Sequence, residues 1–321
     1  MSRKRKHEND IEINKHEDSI LEGLSNFGFY KDVASIIYEY TSLSGTCIHT
    51  LEGHCAEIVS LAVLPNGDLC SGCIDGNLQI WRNGIIIHSI KAHRDWIRCL
   101  LALPNGDLYS GSDDLNIKIW RNGICIKTLL GHKSWINSLI ILPSGNVISG
   151  STDGTIKIWG AGECIHTFKG HKNSITSLAV LPNGDTCFGS SVGNSSDTSI
   201  GIWRNGICVR TLRGHQAWIN CLTLLPNGDI CSGSADRSIK IWRNGICIQT
   251  LEGHTSSIRC LTTLTNGDIC SGSDDKTIKI WRNGLCVQTL QGHIDSIRSL
   301  VTMQNGDLCS GSLDCTIKIW N

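Results

Sequence analysis

Three regularities predict an all-β fold for this 321-residue chain, a seven-bladed β-propeller of four-stranded antiparallel blades. A histidine, preceded by Gly in six of its seven copies, recurs as His54, His93, His132, His171, His215, His254 and His293, at spacings of 39, 39, 39, 44, 39 and 39. A tryptophan closes each unit, as Trp81, Trp120, Trp159, Trp203, Trp242, Trp281 and Trp320. Six residues before each of these stands Asp75, Asp114, Asp153, Asp197, Asp236, Asp275 or Asp314. A fixed period near 40 residues with a His…Trp frame marks blades of four strands stacked around an axis.

Residues 1–45 stand outside the repeat. Their first ten are charged and have the composition of a solvated tail. Arg3, Lys4, Arg5 and Lys6 match a minimal nuclear-import run, but solvated tails carry such runs too, and the reading taken is an intracellular, cytoplasmic chain. Val33, Ile36, Ile37 and Tyr40 fall at i, i+3, i+4 and i+7 and predict one short amphipathic helix. The propeller occupies 46–321.

Within each unit the strands run d, a, b, c, rich in Ile, Leu, Val, Thr and Cys, as suits sheets covered on both faces. The a-to-b turn, Pro-Asn-Gly-Asp in most units, and the Asn-Gly after the terminal Trp are each expected to supply two residues at positive φ. The fourth unit departs. Phe188 replaces the strand-b serine, and five extra Gly/Ser-rich residues lengthen the b–c loop. The seventh unit stops one residue past its strand c, while Thr46–Leu51 is a strand d with no blade before it. The two should pair and close the ring, removing two exposed edges.

Composition removes several classes of function. Lys plus Arg and Asp plus Glu number 29 each, and this neutrality argues against a nucleic-acid surface. Apolar runs of about eight residues fall far short of the ~20 that span a bilayer, and the charged N-terminus reads as lacking a secretory leader. Of 17 cysteines, 14 fall at three repeated strand positions, where copies in different blades cannot pair. They read as small apolar residues in a reducing compartment. Cys70 and Cys73 form a lone C-x-x-C without the second ligand pair that zinc needs. No cofactor or metal is called.

The repeats resemble those of WD-repeat β-propellers over residues 46–321, although the Asp that usually follows the Trp is absent. That resemblance implies a buried hydrogen-bond network of Trp, Ser, His and Asp in each blade, here Trp281, Ser271, His254 and Asp275 and their equivalents. Ser, His and Asp are also the parts of a hydrolase triad, but a set recurring once per blade favours structure, so the chain reads as a non-enzyme. The fourth blade, lacking the Ser, should have an incomplete network. Repeats such as residues 131–168 are similar to the propeller of phospholipase-activating proteins, which bind ubiquitin, though the further domains of that family are missing here. The helix over 33–40 resembles the first helix of an F-box but lacks its Leu-Pro start, and the reading favoured is a helix on the propeller's side.

Three tryptophans are not blade residues. Trp96, Trp135 and Trp218 each stand three positions after the repeat histidine, where other blades carry Glu57, Ser174, Ser257 and Ser296. Packing recurs in every blade and these do not, so they read as contact residues on the rim that the d–a and b–c loops share, here called the top. Two residues further on stand Arg98, Arg259 and Arg298, which suit an acidic or phosphorylated peptide or else pair locally with Asp95, Asp113, Asp274 or Asp295. The Arg and Asp residues of the opposite, bottom rim should pair with each other. The expected function is a monomeric protein-interaction scaffold binding a protein or peptide on its top rim. The alternative is a receptor in a ubiquitin-pathway complex.

Overall fold

The computed structural model describes residues 45–170, 173–191 and 198–321. The chain divides into two compact units, 1–44 and 45–321. The helix expected in the first lies outside the described residues, as do His171 and Asp197.

Blade 1 is built from β2 (Ile58–Val63), β3 (Leu69–Cys73), β4 (Asn77–Arg82) and β5 (Ile85–Lys91), paired in that order as an antiparallel sheet. Blades 2 to 6 repeat it as β6–β9 (97–129), β10–β13 (136–169), β14–β17 (174–212), β18–β21 (219–251) and β22–β25 (258–290). Blade 7 takes three strands from the C-terminal end, β26 (Ile297–Thr302), β27 (Leu308–Ser312) and β28 (Ile317–Trp320), and its fourth, β1 (Cys47–Leu51), from the other end of the unit. The closure expected from sequence is formed: Cys47 pairs with Trp320 and Leu51 with Ile317. The Lys318 ammonium adds a hydrogen bond to the Thr50 hydroxyl at 2.9 Å.

The blades meet at one repeated contact. The glycine of each Ser-Gly strand b faces the first Ile of the next blade's strand a. A Cβ on Gly72 would lie 2.6 Å from Ile97, and one on Gly311 would lie 2.7 Å from Ile58, so the seam that closes the ring matches the others. These isoleucines are essentially inaccessible, and buried apolar clusters run from blade to blade through them.

Two expectations need correction. In the a-to-b turn only the glycine has positive φ, as Gly67 does at 87°. The Gly67 amide donates to the Leu64 carbonyl, a turn of four residues with Gly in the left-handed position, and the Asn66 side chain accepts from the Asp68 amide. The c-to-d turn does use two, Asn83 at 51° and Gly84 at 78°. Nor is strand d covered on both faces. It is the outermost strand of each blade, and Ile85, Ile124, Ile207, Ile246 and Leu285 are each exposed by two thirds or more. Five of the six strand-d cysteines are exposed as well, so the buried, apolar reading holds for Cys70, Cys187, Cys231, Cys270 and Cys309 but not for them.

The bottom rim is self-paired, as expected. Arg82 grips Asp68 through both carboxylate oxygens (2.8 and 2.7 Å), and Arg121, Arg204, Arg243 and Arg282 hold Asp107, Asp185, Asp229 and Asp268 in the same way. Blade 3 loses both partners together: Gly160 replaces the Arg and Asn146 the Asp.

Blade 4 shows a second paired replacement. Phe188 fills the serine's place, fully buried, and packs edge-on against Trp203 with ring centroids 5.6 Å apart. Its ring lies 2.3 Å from where a Cβ on Gly201 would stand, and Gly201 replaces the lysine found there in five other blades. The Trp203 indole N–H has no partner among the described residues.

Two predictions follow from this architecture. Removing residues 1–51 deletes β1 and leaves β28 an open edge. That fragment should aggregate, whereas removal of 1–44 should leave a soluble monomer by size-exclusion chromatography. A soluble 52–321 fragment with an unchanged melting point would contradict closure by β1. In blade 4, Phe188→Ser alone should cost about 2–3 kcal/mol, the void outweighing the hydrogen bond regained by Trp203. Adding Gly201→Lys should recover part of that loss, although alone it clashes with Phe188. Additive losses in denaturant unfolding would show that the two sites are independent.

Candidate functional site

Inside blades 2, 3, 5, 6 and 7 a buried relay ties the d–a loop to strands b and c. In blade 2 the Trp120 indole donates to the Ser110 hydroxyl (2.8 Å), Ser110 contacts Nε2 of His93 (2.7 Å), and Nδ1 of His93 meets the Asp114 carboxylate (2.9 Å). Asp114 also accepts the Arg94 amide (3.1 Å), clamping the loop. The same chain runs through Trp159, Ser149, His132 and Asp153; Trp242, Ser232, His215 and Asp236; Trp281, Ser271, His254 and Asp275; and Trp320, Ser310, His293 and Asp314. Burial raises the Asp114 and Asp153 pKa values, but the bonds they accept outweigh it and hold both at about 2. The relay has the contacts of a hydrolase triad, yet each serine is completely buried under a tryptophan that already donates to it. No substrate can reach it.

Blade 1 departs in a way the sequence reading missed. Nδ1 of His54 meets the Cys73 thiol (2.7 Å) instead of Asp75, which accepts from the amide and side chain of Asn77. Cys73 stands where the other blades have Ser, and that is the signal that could have found it. Burial lowers the His54 pKa to about 4, against the opposing charge of Asp75, and raises that of Cys73. The ring is therefore neutral, and the thiol donates to it. Among the described residues no cluster of His, Cys, Asp and Glu could hold a metal ion.

The candidate site is the top mouth of the central channel, and a backbone irregularity builds it. In every strand a, one residue is extra to the ladder. Ile97 pairs with Ser112 and Cys99 with Gly111, so Arg98 is unmatched, and the same shift leaves out Val59, Asn137, Thr176, Asn220, Arg259 and Arg298. A bulge re-aims its side chain. All seven bulged residues line one cavity of about 690 Å³, together with Trp96, Trp135 and Trp218. The three tryptophans keep 38%, 46% and 49% of their surface exposed. Their main chains are fixed: the carbonyls of Trp96, Trp135 and Trp218 accept from Asp113, Thr152 and Ala235. Glu57, at the same position in blade 1, does not line the cavity.

The arginines differ from one another. Arg98 is bound by Asp113 through both oxygens, and its guanidinium carbon lies 5.1 Å from the Trp96 ring centre and 4.6 Å from that of Trp135. It is an ion-paired plate between two indoles. Arg259 is held by Asp274 at 2.8 and 2.6 Å. Arg298 reaches Asp274 only at 3.8 Å. Asn137, Thr176 and Asn220 instead bond the first Ile carbonyl of the next blade's strand a (2.8, 2.6 and 2.8 Å) and so stitch blades together around the mouth.

A closed ring of seven such blades, its polar repeats spent inside and its variable residues gathered at one mouth, defines a repeat propeller that presents a rim to partners. The chain belongs to the family described as WD domain, G-beta repeat, which matches at residues 45–82, 84–121, 123–160, 162–204, 206–243, 245–282 and 284–321. Propellers of this family are typically protein-interaction scaffolds and are generally non-catalytic. Among solved structures the chain is similar to the WD40 β-propeller domain of Doa1, with 27% identity and a TM-score of 0.78, over 87% of this chain and 97% of that one. No curated protein matches the chain.

Acid should weaken the fold in two stages. His54 binds its proton near pH 4 when folded and near 6.5 when unfolded, and burial lowers the His132 pKa too. Below pH 6.5 the unfolded chain gains protons that the folded one refuses, so stability should fall between pH 6.5 and 4, by up to about 3 kcal/mol for His54. The relay carboxylates act lower, their contribution being complete above pH 3.8 and lost toward pH 2. His54→Gln should flatten the first stage in denaturant titrations. An unchanged slope from pH 7 to 4.5 would show that His54 does not carry it.

Proposed function

We propose that this protein is a non-catalytic interaction scaffold that binds a peptide or protein loop in the cavity at the top mouth of its channel. The observation that carries the reading is the meeting of Trp96, Trp135 and Trp218 on one cavity while each stays more than a third exposed. A side chain kept for packing would be repeated in each blade and buried. These are absent from four blades and open to solvent. Trp offers a large rigid contact area at low entropic cost and is the residue type most enriched at binding hot spots. A cavity of about 690 Å³ accepts a few side chains and excludes a folded domain, so the ligand is an extended or looped segment. The relay under the d–a loops that carry Trp96, Trp135 and Trp218 supports preorganisation, which lowers the cost of binding.

The ubiquitin-pathway reading has one observation in its favour, the similarity of the repeats to those of phospholipase-activating proteins. It would place an exposed segment of ubiquitin, or of a ubiquitin-linked client, in the same mouth.

A triple Trp96→Ser, Trp135→Ser, Trp218→Ser variant reproduces what blades 4, 6 and 7 already carry at this position. It should stay folded by circular dichroism and lose its partners in a pulldown read by mass spectrometry. Losing one buried anchor costs at least about 2 kcal/mol, roughly thirtyfold in affinity. If the variant unfolds, the tryptophans pack the rim. If it folds and keeps every partner, the top mouth is not the site. Recovery of ubiquitin by the wild type alone would favour the second reading.

A further inference from the structure

The three arginines of the mouth follow a pairing rule that breaks once. Fifteen residues after Arg98 comes Asp113, and fifteen after Arg259 comes Asp274. Each Asp ends strand b of its own blade and binds its own Arg. Fifteen residues after Arg298 comes Leu313. Blade 7 thus has the cation without its carboxylate, and the four blades with Val, Asn or Thr at the bulge have no Asp there either.

Arg298 shares its neighbour's carboxylate only at long range, 3.8 Å. Asp274 is already engaged by Arg259 at 2.8 and 2.6 Å, and its other oxygen accepts the Ser296 hydroxyl. Asp295, the next carboxylate in blade 7, accepts the Ser296 amide at 2.6 Å. The Arg298 guanidinium makes no hydrogen bond among the described residues, although its side chain is only 29% exposed. Burial, and after it the charge of Arg259, lowers its pKa. Asp274 and Asp295 both act on Arg298 through their charge, yet neither accepts a hydrogen bond from its guanidinium, whose donors are left open on the blade 6–blade 7 side of the mouth. The indoles stand on blades 2, 3 and 5.

We infer that Arg298, backed by Arg259, is an anion subsite of the mouth, taking a carboxylate or phosphate group on the bound segment while apolar side chains of that segment lie against the indoles. Arg98 is not that subsite, since its fork is filled by Asp113 and its faces by Trp96 and Trp135. This assignment rests on the top-mouth reading above. A fork with five N–H donors and no acceptor offers the geometry for a bidentate oxyanion.

The test uses the full chain and four immobilised peptide libraries, randomised around a fixed central residue: Glu, phosphoserine, Ser or Lys. Retention on the Glu library, the phosphoserine library or both should exceed retention on Ser and Lys by about tenfold, the worth of one charge-assisted pair. The two anionic arms separate a carboxylate from a phosphate. Arg298→Gln should erase the preference while keeping tryptophan-dependent binding, and Arg298→Lys should keep only part of it. If the preference survives in Arg298→Gln, or Ser and Lys peptides bind equally well, the subsite is overturned and the mouth stands. If no library is retained, or retention ignores the triple Trp→Ser change, the top-mouth reading fails and the subsite with it. Should Arg298→Gln not fold, the wild type decides: the anionic preference must shrink between 50 and 500 mM salt, and a salt-independent preference overturns the inference.

Discussion

The rest of the structure depends on the buried bond between a histidine ring and a serine hydroxyl that also accepts a tryptophan. Three strands of a blade form a ladder through their backbones alone, but nothing in a ladder fixes the loop that enters from the previous blade. The relay does. It brings His93, from the d–a loop, onto Ser110 of strand b, under Trp120 of strand c, and Asp114 then clamps the amide after the histidine. A buried imidazole, indole and carboxylate would each be costly alone, and together they satisfy one another. With the loop pinned, the next strand a starts at a fixed place, its bulge falls at a fixed residue, and seven side chains arrive around one mouth.

The relay also explains how the ring tolerates irregular blades. In blade 1 the thiol of Cys73 takes the carboxylate's role toward His54 and reverses which ring nitrogen carries the proton. In blade 4 an aromatic ring replaces the hydroxyl, and Gly201 makes room for it. On the bottom rim Gly160 and Asn146 drop an ion pair as a unit. The departures in blade 4 and on the bottom rim of blade 3 are matched exchanges of two residues, whereas in blade 7 Asn321 takes the arginine's place and Asp307 stays.

Fold and strand order were legible because a repeat states them seven times, the bottom rim because its Arg–Asp pair recurs in five blades, and closure because one strand was missing at one end and unpaired at the other. The candidate tryptophans were legible for the opposite reason, since they interrupt that repetition. What the repeat concealed was direction. Nothing in the one-dimensional pattern says that strand d faces outward on one side, so Cys125 and Cys208 read as buried when they are exposed. Nor does it say that Arg98 and its six equivalents sit on bulges, since a bulge shows only when two strands are aligned. Arg98 therefore read as an anion anchor, although Asp113 already fills it. The expected ion pairs of Arg98 and Arg259 formed. That Arg298 has no carboxylate of its own was visible as Leu313, but gained meaning only beside those two.

The pairing of β1 with β28 has a consequence for synthesis. Among the described residues the first strand made is the last to find its place, because Thr50 and the Lys318 it meets are 268 residues apart. At roughly 5–20 residues per second, that is about 13–54 s during which β1 waits as an unpaired strand beside a growing row of blades. Its sequence suits that wait: β1 is short, and His49 and Thr50 interrupt its apolar run. Closure of the ring thus depends on a late meeting of two strands that are made far apart in time.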